Sequence, residues 1–277
     1  MKESRLYSFI NNKSGFTLHF LEGSKLLNTI GEIHNIGDNA RPYYAKTILT
    51  TQQMITFLKA GESLGVYVDS EEPYFRFKIE TNFTGSMRTL LLPEEFQSFP
   101  DEITGKARIT KIFSNTNPYT SNIELEKEKP DEIINKILKE SYQTNSKVIT
   151  STNLEQSIMI TKLPRVDVKR VVEDEDDIPM DEFILKHNLF IEELFGKNLR
   201  EIQDIVEFVE QYDFDYLHSK EVKFECPCSE ERMATNLLNI SGNDIDDLFA
   251  GDEKLETRCD YCNTTYTFTK DSLSLKS

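Results

Sequence analysis

Long apolar runs are missing from this 277-residue chain. No stretch of it approaches the roughly 18 apolar residues that span a bilayer, so a membrane helix is not expected. The N-terminus carries Glu3 and Arg5 with no apolar run behind them, which does not read as a secretory leader. No glycine-rich loop of the kind that cradles phosphates is present, so ATP-driven work is not expected. The histidines, His19, His34, His187 and His218, show no ligand-pair spacing and read as surface or capping residues. Catalytic triads are recognised by geometry rather than by position, and no Ser/His/Asp set stands out. Cysteine is scarce as well. A reducing cytoplasm is the expected address, and in that compartment a static disulfide framework is not expected.

Basic charge is missing from one half of the chain. From Val171 to Ser277 there are 27 Asp and Glu against 10 Lys and Arg, a net of −17, which leaves 21 acidic and 22 basic residues before them. A phosphate backbone rewards clustered Lys and Arg, so the C-terminal part is not expected to bind nucleic acid. Within it, Glu173-Asp-Glu-Asp-Asp177 repels itself, carries nothing apolar and reads as a linker.

Cys226, Cys228, Cys259 and Cys262 are the only cysteines, and they fall as Cys-Pro-Cys and Cys-Asp-Tyr-Cys with thirty residues between the pairs. Four thiolates from two short turns can complete a tetrahedron around Zn²⁺ and leave no position open for substrate. That pattern points to structure or switching rather than hydrolysis; iron is the less favoured ion. The first pair is tighter than the Cys-x-x-Cys knuckle of ordinary zinc ribbons. Structural zinc contributes about 10–16 kcal/mol in small modules, comparable with the roughly 5–15 kcal/mol stability of a whole domain. The ion is therefore expected to hold residues 221–277 folded around Phe224, Met233, Leu237, Leu238, Ile245, Leu248, Phe249, Tyr266 and Phe268. Ser229 is placed to cap a helix that opens with Glu230 and Glu231.

The remaining pattern predicts an α+β fold. It comprises an N-terminal domain over residues 1–170 with a mixed or antiparallel sheet and helices, an acidic helical linker over 171–220, and a small zinc-binding module over 221–277. Tyr44, Ile48, Ile55 and Leu58 predict an amphipathic helix over Tyr43–Lys59, ending before Gly61. Alternation predicts strands at Leu64–Val68 and Phe75–Ile79 around a turn at Asp69–Pro73. Further strands are expected at Ala107–Phe113 and Ile158–Thr161, with a helix from about Pro130 carrying Ile133, Ile134, Ile137 and Leu138. Linker helices are predicted at Asp181–Phe195 and Leu199–Tyr212, the second with Leu199, Ile202, Ile205, Val206 and Val209 on one side.

Around the cysteines the chain reads Val222-Lys-Phe224-Glu-Cys226-Pro-Cys228-Ser229-Glu-Glu-Arg232 and then Cys259-Asp-Tyr-Cys262 followed by Tyr266 and Phe268. Upstream lie Gly85-Ser-Met-Arg88 with its following Leu run to Pro93, Asn117-Pro118-Tyr119-Thr120, and Ser141-Tyr142-Gln143. In this order the motifs resemble the 33-kDa heat-shock protein family of redox-regulated holdase chaperones. The chain departs from that pattern at Ser121, where the family has Gly, and over Ser157–Pro164, where a glycine pair is absent.

The resemblance implies an ATP-independent stress-response chaperone, not an enzyme, held idle by zinc on Cys226, Cys228, Cys259 and Cys262. Oxidation would pair Cys226 with Cys228 and Cys259 with Cys262, expel zinc and unfold the module and linker. The exposed apolar surface would then bind unfolding client proteins. The protein would be a monomer when reduced and a homodimer when oxidised; the resemblance assigns no client-binding residues. Two other readings of the residues stay open: a constitutive zinc-stabilised protein-binding module, and a thiol-disulfide oxidoreductase using Cys259-Asp-Tyr-Cys262.

Overall fold

A helix buried on most of its sides organises the chain. In the computed structural model, which describes residues 3–71, 74–92, 100–113, 116–153, 155–164, 178–196, 201–241 and 245–274, α2 (Arg41–Gln53) lies between two sheets. Sequence periodicity predicts one apolar stripe here, but everything from Thr47 to Gln53 is buried. Two of its polar members reach in opposite directions, to one sheet each. Gln52 Nε2 donates to the Gly85 carbonyl at 3.1 Å, while Gln53 Nε2 donates to the Ser157 carbonyl at 3.1 Å. The expected helix runs on as a 3₁₀ turn over Met54–Phe57, short of Gly61 with its positive φ.

The first sheet has the antiparallel order β10 (Asp215–Glu221), β1 (Arg5–Asn11), β2 (Phe16–Glu22), β9 (Gln156–Lys162) and β8 (Ser146–Thr150). The second runs β11 (Lys223–Phe224), β5 (Ser86–Leu92), β4 (Tyr74–Asn82), β3 (Ser63–Glu71), β6 (Ile103–Ile112) and β7 (Tyr119–Glu128). Only the β11–β5 pairing is parallel. Alternating Leu64, Val66 and Val68 register against Thr81, Ile79 and Phe77, so the hairpin buries one face. That face, α1 (Ser24–His34), α2 and α3 (Ile133–Glu140), and Leu6, Leu21, Val148 and Met159 of the first sheet form the main core.

The other face of the first sheet carries Tyr7, Phe9, Phe16, Leu18, Phe20, Ile158 and Ile160. It is covered by α4 (Met180–Lys186), α5 (Asn188–Gly196) and α6 (Ile202–Glu210), which bury Phe183, Phe190, Ile191, Leu194, Ile205, Phe208 and Val209 there. The single helix predicted over Asp181–Phe195 is two, meeting at His187, whose ring stacks on Phe183 at 4.1 Å. Of the predicted stripe, Ile202, the first residue of α6, is exposed. The acidic run 173–177, Leu199, Pro73 and Pro93 lie outside the described residues. No described helix is long and apolar enough to cross a membrane.

The chain then crosses from β10 on the first sheet to β11 on the second, with Val222 N–H donating to the Ser4 carbonyl at 2.9 Å. Beyond β11 come α7 (Glu230–Ser241), α8 (Ile245–Phe249), the hairpin of β12 (Lys254–Arg258) and β13 (Thr265–Thr269), and α9 (Lys270–Ser274). Ala234, Phe249, Phe268 and Leu273 form a small core of their own there, flanked by Met233, Leu237, Leu238, Leu248, Leu255 and Tyr266. Phe224, assigned to this set by sequence, packs instead against the main core, because β11 holds it on the second sheet. The Ile245 side chain lies outside the described set.

Candidate metal centre

Two turns bring the cysteines together. Cys226 and Cys228 follow β11, where the Glu225 N–H donates to the Met87 carbonyl at 2.8 Å and Ser86 Oγ donates to Glu225 Oε2 at 2.5 Å. Cys259 and Cys262 occupy the tip of the β12–β13 hairpin, closed by the Cys259 N–H on the Thr264 carbonyl at 2.9 Å. Asn263 takes a left-handed φ of 59° to make that turn. Ser229 caps α7 as its position suggests, accepting from the Arg232 N–H at 3.2 Å, with Glu230 and Glu231 in the first turn.

All four sulfur atoms lie within 4.8 Å of one another. Cys226 Sγ is 3.7 Å from Cys259 Sγ, and Cys228 Sγ is 3.2 Å from Cys262 Sγ. A zinc tetrathiolate with bonds of about 2.3 Å has sulfur–sulfur edges of about 3.8 Å. The donor set therefore fits such an ion with small adjustments.

Electrostatics points the same way. Burial pushes the Cys226 thiol up to about 12 and raises Cys259 as well. Burial also opposes ionisation of Cys262, but the hydroxyl and amide of Thr264, followed by Cys228 and Cys259, outweigh it and bring this thiol down to about 7. Tyr266 Oη donates to Cys228 Sγ at 3.1 Å, which pushes the phenol up to about 12. The protein's own groups thus favour the thiolate at Cys262 and oppose it at Cys226 and Cys259. Four together require a cation, and a divalent ion is the ordinary way to supply it.

None of the histidines joins the cluster. His19 Nδ1 pairs with Ser8 Oγ at 2.9 Å, His34 Nε2 with Thr89 Oγ1 at 2.9 Å, and His187 Nδ1 with the Phe183 carbonyl at 2.9 Å. His218 faces Ser8 across the β1–β10 ladder.

Sequence reasoning missed the residues on which the cluster rests. Glu80 and Arg88 are register partners on β4 and β5, with Arg88 Nε donating to Glu80 Oε2 at 2.7 Å. The guanidinium lies 4.1 Å from the centroid of the Tyr261 ring, and Tyr261 Oη donates to Glu80 Oε1 at 3.0 Å. An arginine inside the largely apolar Met87–Leu92 stretch was the available signal.

Comparison with known proteins agrees with this arrangement. The family profile described as Hsp33 protein matches residues 4–269. The chain belongs to the Hsp33 family. Among curated relatives, the 33 kDa chaperonin of Aquifex aeolicus is 21% identical over 96% of this chain and 87% of its own. That of Latilactobacillus sakei is 25% identical, covering 87% of each. The crystal structure of the 33 kDa chaperonin, a heat shock protein 33 homologue, from Thermotoga maritima superposes with a TM-score of 0.77 at 15% identity, over 99% of this chain and 98% of that one. Membership of Hsp33 supports a chaperone function for the chain, and four clustered cysteines are the metal-competent group among the described residues.

Proposed function

We propose that this Hsp33 protein is a redox-regulated, ATP-independent holdase, working in a reducing cytoplasm, with parts dividing at residues 1–170, 171–220 and 221–277. The observation that carries the reading is the convergence of Cys226, Cys228, Cys259 and Cys262 within 4.8 Å, immediately after the strand that ties the C-terminal segment to the second sheet. Zinc held by these four sulfurs would supply a cross-link between the two turns and keep all four thiolates ionised.

Everything else falls to the chain. Thiolates are the form that oxidants attack. Pairing Cys226 with Cys228 and Cys259 with Cys262 removes four electrons, which two molecules of hydrogen peroxide accept as they become water. The paired sulfurs no longer form a thiolate shell, and the small core of Ala234, Phe249, Phe268 and Leu273 is left to stand alone. It is too small for that. Loss of this segment frees β11 and then β10 from the two sheets, and the cover of α4–α6 over Phe9, Phe16, Leu18 and Phe20 loosens. That aromatic face, with the underside of the cover, is the surface offered to unfolding clients. Exposed apolar area of this kind also favours a homodimer in the oxidised state.

Light scattering from a thermally aggregating client enzyme tests the reading. Reduced, zinc-loaded protein should leave aggregation nearly unchanged and peroxide-treated protein should suppress it. Equal suppression by both forms would reduce the protein to a constitutive zinc-stabilised binding module.

A further inference from the structure

The turn that carries Cys259 and Cys262 does more than present sulfur. Its Tyr261 reaches away from the cluster onto the second sheet, its hydroxyl donating to Glu80 Oε1 at 3.0 Å and its ring lying 4.1 Å from the Arg88 guanidinium carbon. Arg88 is tied to the other oxygen of the same carboxylate, Nη2 to Oε2 at 2.5 Å. One guanidinium therefore joins the Cys259–Cys262 turn to the carboxylate on β4. From the same turn, Asn263 Nδ2 donates to the Ile33 carbonyl on α1. Tyr67 Oη adds a weaker contact to Glu80 Oε1 at 3.4 Å, under Arg108 at 4.7 Å.

We infer that Glu80, Arg88 and Tyr261 form a latch that transmits the state of the cysteine turns to the second sheet, with Arg88 as its positioning residue. This deepens the proposed redox switch and rests on it. Tyr261 stands between Cys259 and Cys262, so any re-pairing of those sulfurs reshapes the backbone that aims its ring. A planar guanidinium suits this position because it stacks on an aromatic face and hydrogen-bonds a carboxylate edge at once, which an ammonium does not. The partners are half-buried, which strengthens such contacts relative to full exposure. Release of the ring removes the tie between the β4–β5 ion pair and the Cys259–Cys262 turn, and β11 is then held to the second sheet by its short ladder, the Ser86–Glu225 hydrogen bond and the packing of Phe224.

Full-length reduced protein loaded with zinc is compared with its Tyr261→Ala, Tyr261→Phe, Arg88→Ala and Arg88→Lys variants. Zinc per chain, amide hydrogen exchange, and the peroxide concentration giving half-maximal client protection are measured. The Ala variants should keep one zinc. Exchange at residues 80–88 and 223–225 should rise about tenfold, as expected for loss of a shielded hydrogen bond in a locally opening unit, and the peroxide midpoint should fall several-fold. Tyr261→Phe, which keeps the ring but not the hydroxyl, and Arg88→Lys, which keeps charge but not the plane, should fall between these and the unsubstituted chain. If zinc is retained and both exchange and midpoint match the unsubstituted protein, the latch is overturned. It is equally overturned if the variants lose zinc, because the residues then build the site rather than couple it. Should the unsubstituted protein gain no protection on oxidation, the redox reading fails, while faster exchange at the second sheet in the Ala variants still supports the latch.

Discussion

Removing one ring from beneath the helical cover should release the cover without touching the cysteines. Phe183 on α4 is 1% exposed and stacks on Phe16 of β2 at 3.9 Å between ring centroids. Phe214 meets it edge-on at 6.3 Å and His187 stacks on its other side. Phe183→Ala deletes this whole set of contacts and leaves a cavity that the rigid sheet below cannot fill, a loss of about 3–5 kcal/mol. A shift of that size lowers the ratio of docked to undocked cover by a factor of about 100 to 5,000, taking 1.36 kcal/mol per tenfold. Cooperative units at a protein's surface open at a cost below that of global unfolding. The penalty should therefore be felt first as opening of α4–α6. Hydrogen exchange on the reduced protein measures this directly: amides of residues 180–210 should exchange at least 100-fold faster, while those of β3, β4 and β6 change little. The reduced variant should also protect an aggregating client with zinc still bound. Leu185→Ala on the same helix is the control, because that side chain is 77% exposed and its loss should matter by less than about 0.5 kcal/mol. If exchange rises equally in β3 and β4, or if α4–α6 stay protected, the cover is not a separately releasable element and the reasoning fails.

Gly85 has a φ of 94°, and a Cβ there would sit 2.1 Å from the Glu221 carbonyl oxygen. Gly85→Ala should therefore part β11 from β5, costing more than about 1 kcal/mol and lowering the thermal midpoint together with the peroxide threshold. His19 is held down to about 4, chiefly by burial and then by His218, against an ordinary value of 6.5. The unfolded chain binds the proton first, so stability should be full above pH 6.5 and fall steadily toward pH 4. The loss should be on the order of 2–3 kcal/mol; urea midpoints of the protein and of His19→Gln, which should lack this component, check it. Chelation under reducing conditions should unfold α7 and the β12–β13 hairpin while leaving β3–β6 intact, read by exchange at residues 230–274 against 63–112.

Local patterns carried some of this architecture and not the rest, for reasons visible in particular elements. The cysteine cluster was legible because its chemistry is written in short spacings that do not depend on the fold. β3 and β4 were legible because each has one buried and one wetter face, which gives a period of two. β1 and β2 escaped notice because both their faces are covered, by the main core on one side and the helical cover on the other, so alternation is lost. β10, Asp215-Tyr-Leu-His-Ser-Lys-Glu221, is polar and mostly wet, and it is a strand only because the open edge of β1 recruits it. The joint of Glu80, Arg88 and Tyr261 is assembled from distant segments, so no window of sequence contains it.

The route of the chain explains why two remote parts can act as one device. Between Phe214 and Cys226 the backbone leaves the core under the helical cover, adds β10 to the first sheet, buries Val222 in the main core, adds β11 to the second sheet and enters the cysteine turn. These attachments stand in series. A ladder opened at its end resists less than one pulled as a whole, and β10 is the weakest available: an edge strand with polar side chains and a register irregularity opposite Ser8 and Phe9. Tension or slack introduced at Cys226 thus meets the two residues of β11 and the buried Val222 before it reaches β10, and beyond β10 lies the aromatic floor of the cover. Beyond its contacts with Val222 and Phe224, the main core, closed by α2 and its glutamines between the sheets, lies off that path. It can stay folded while the cover is let go, as the proposed switch requires.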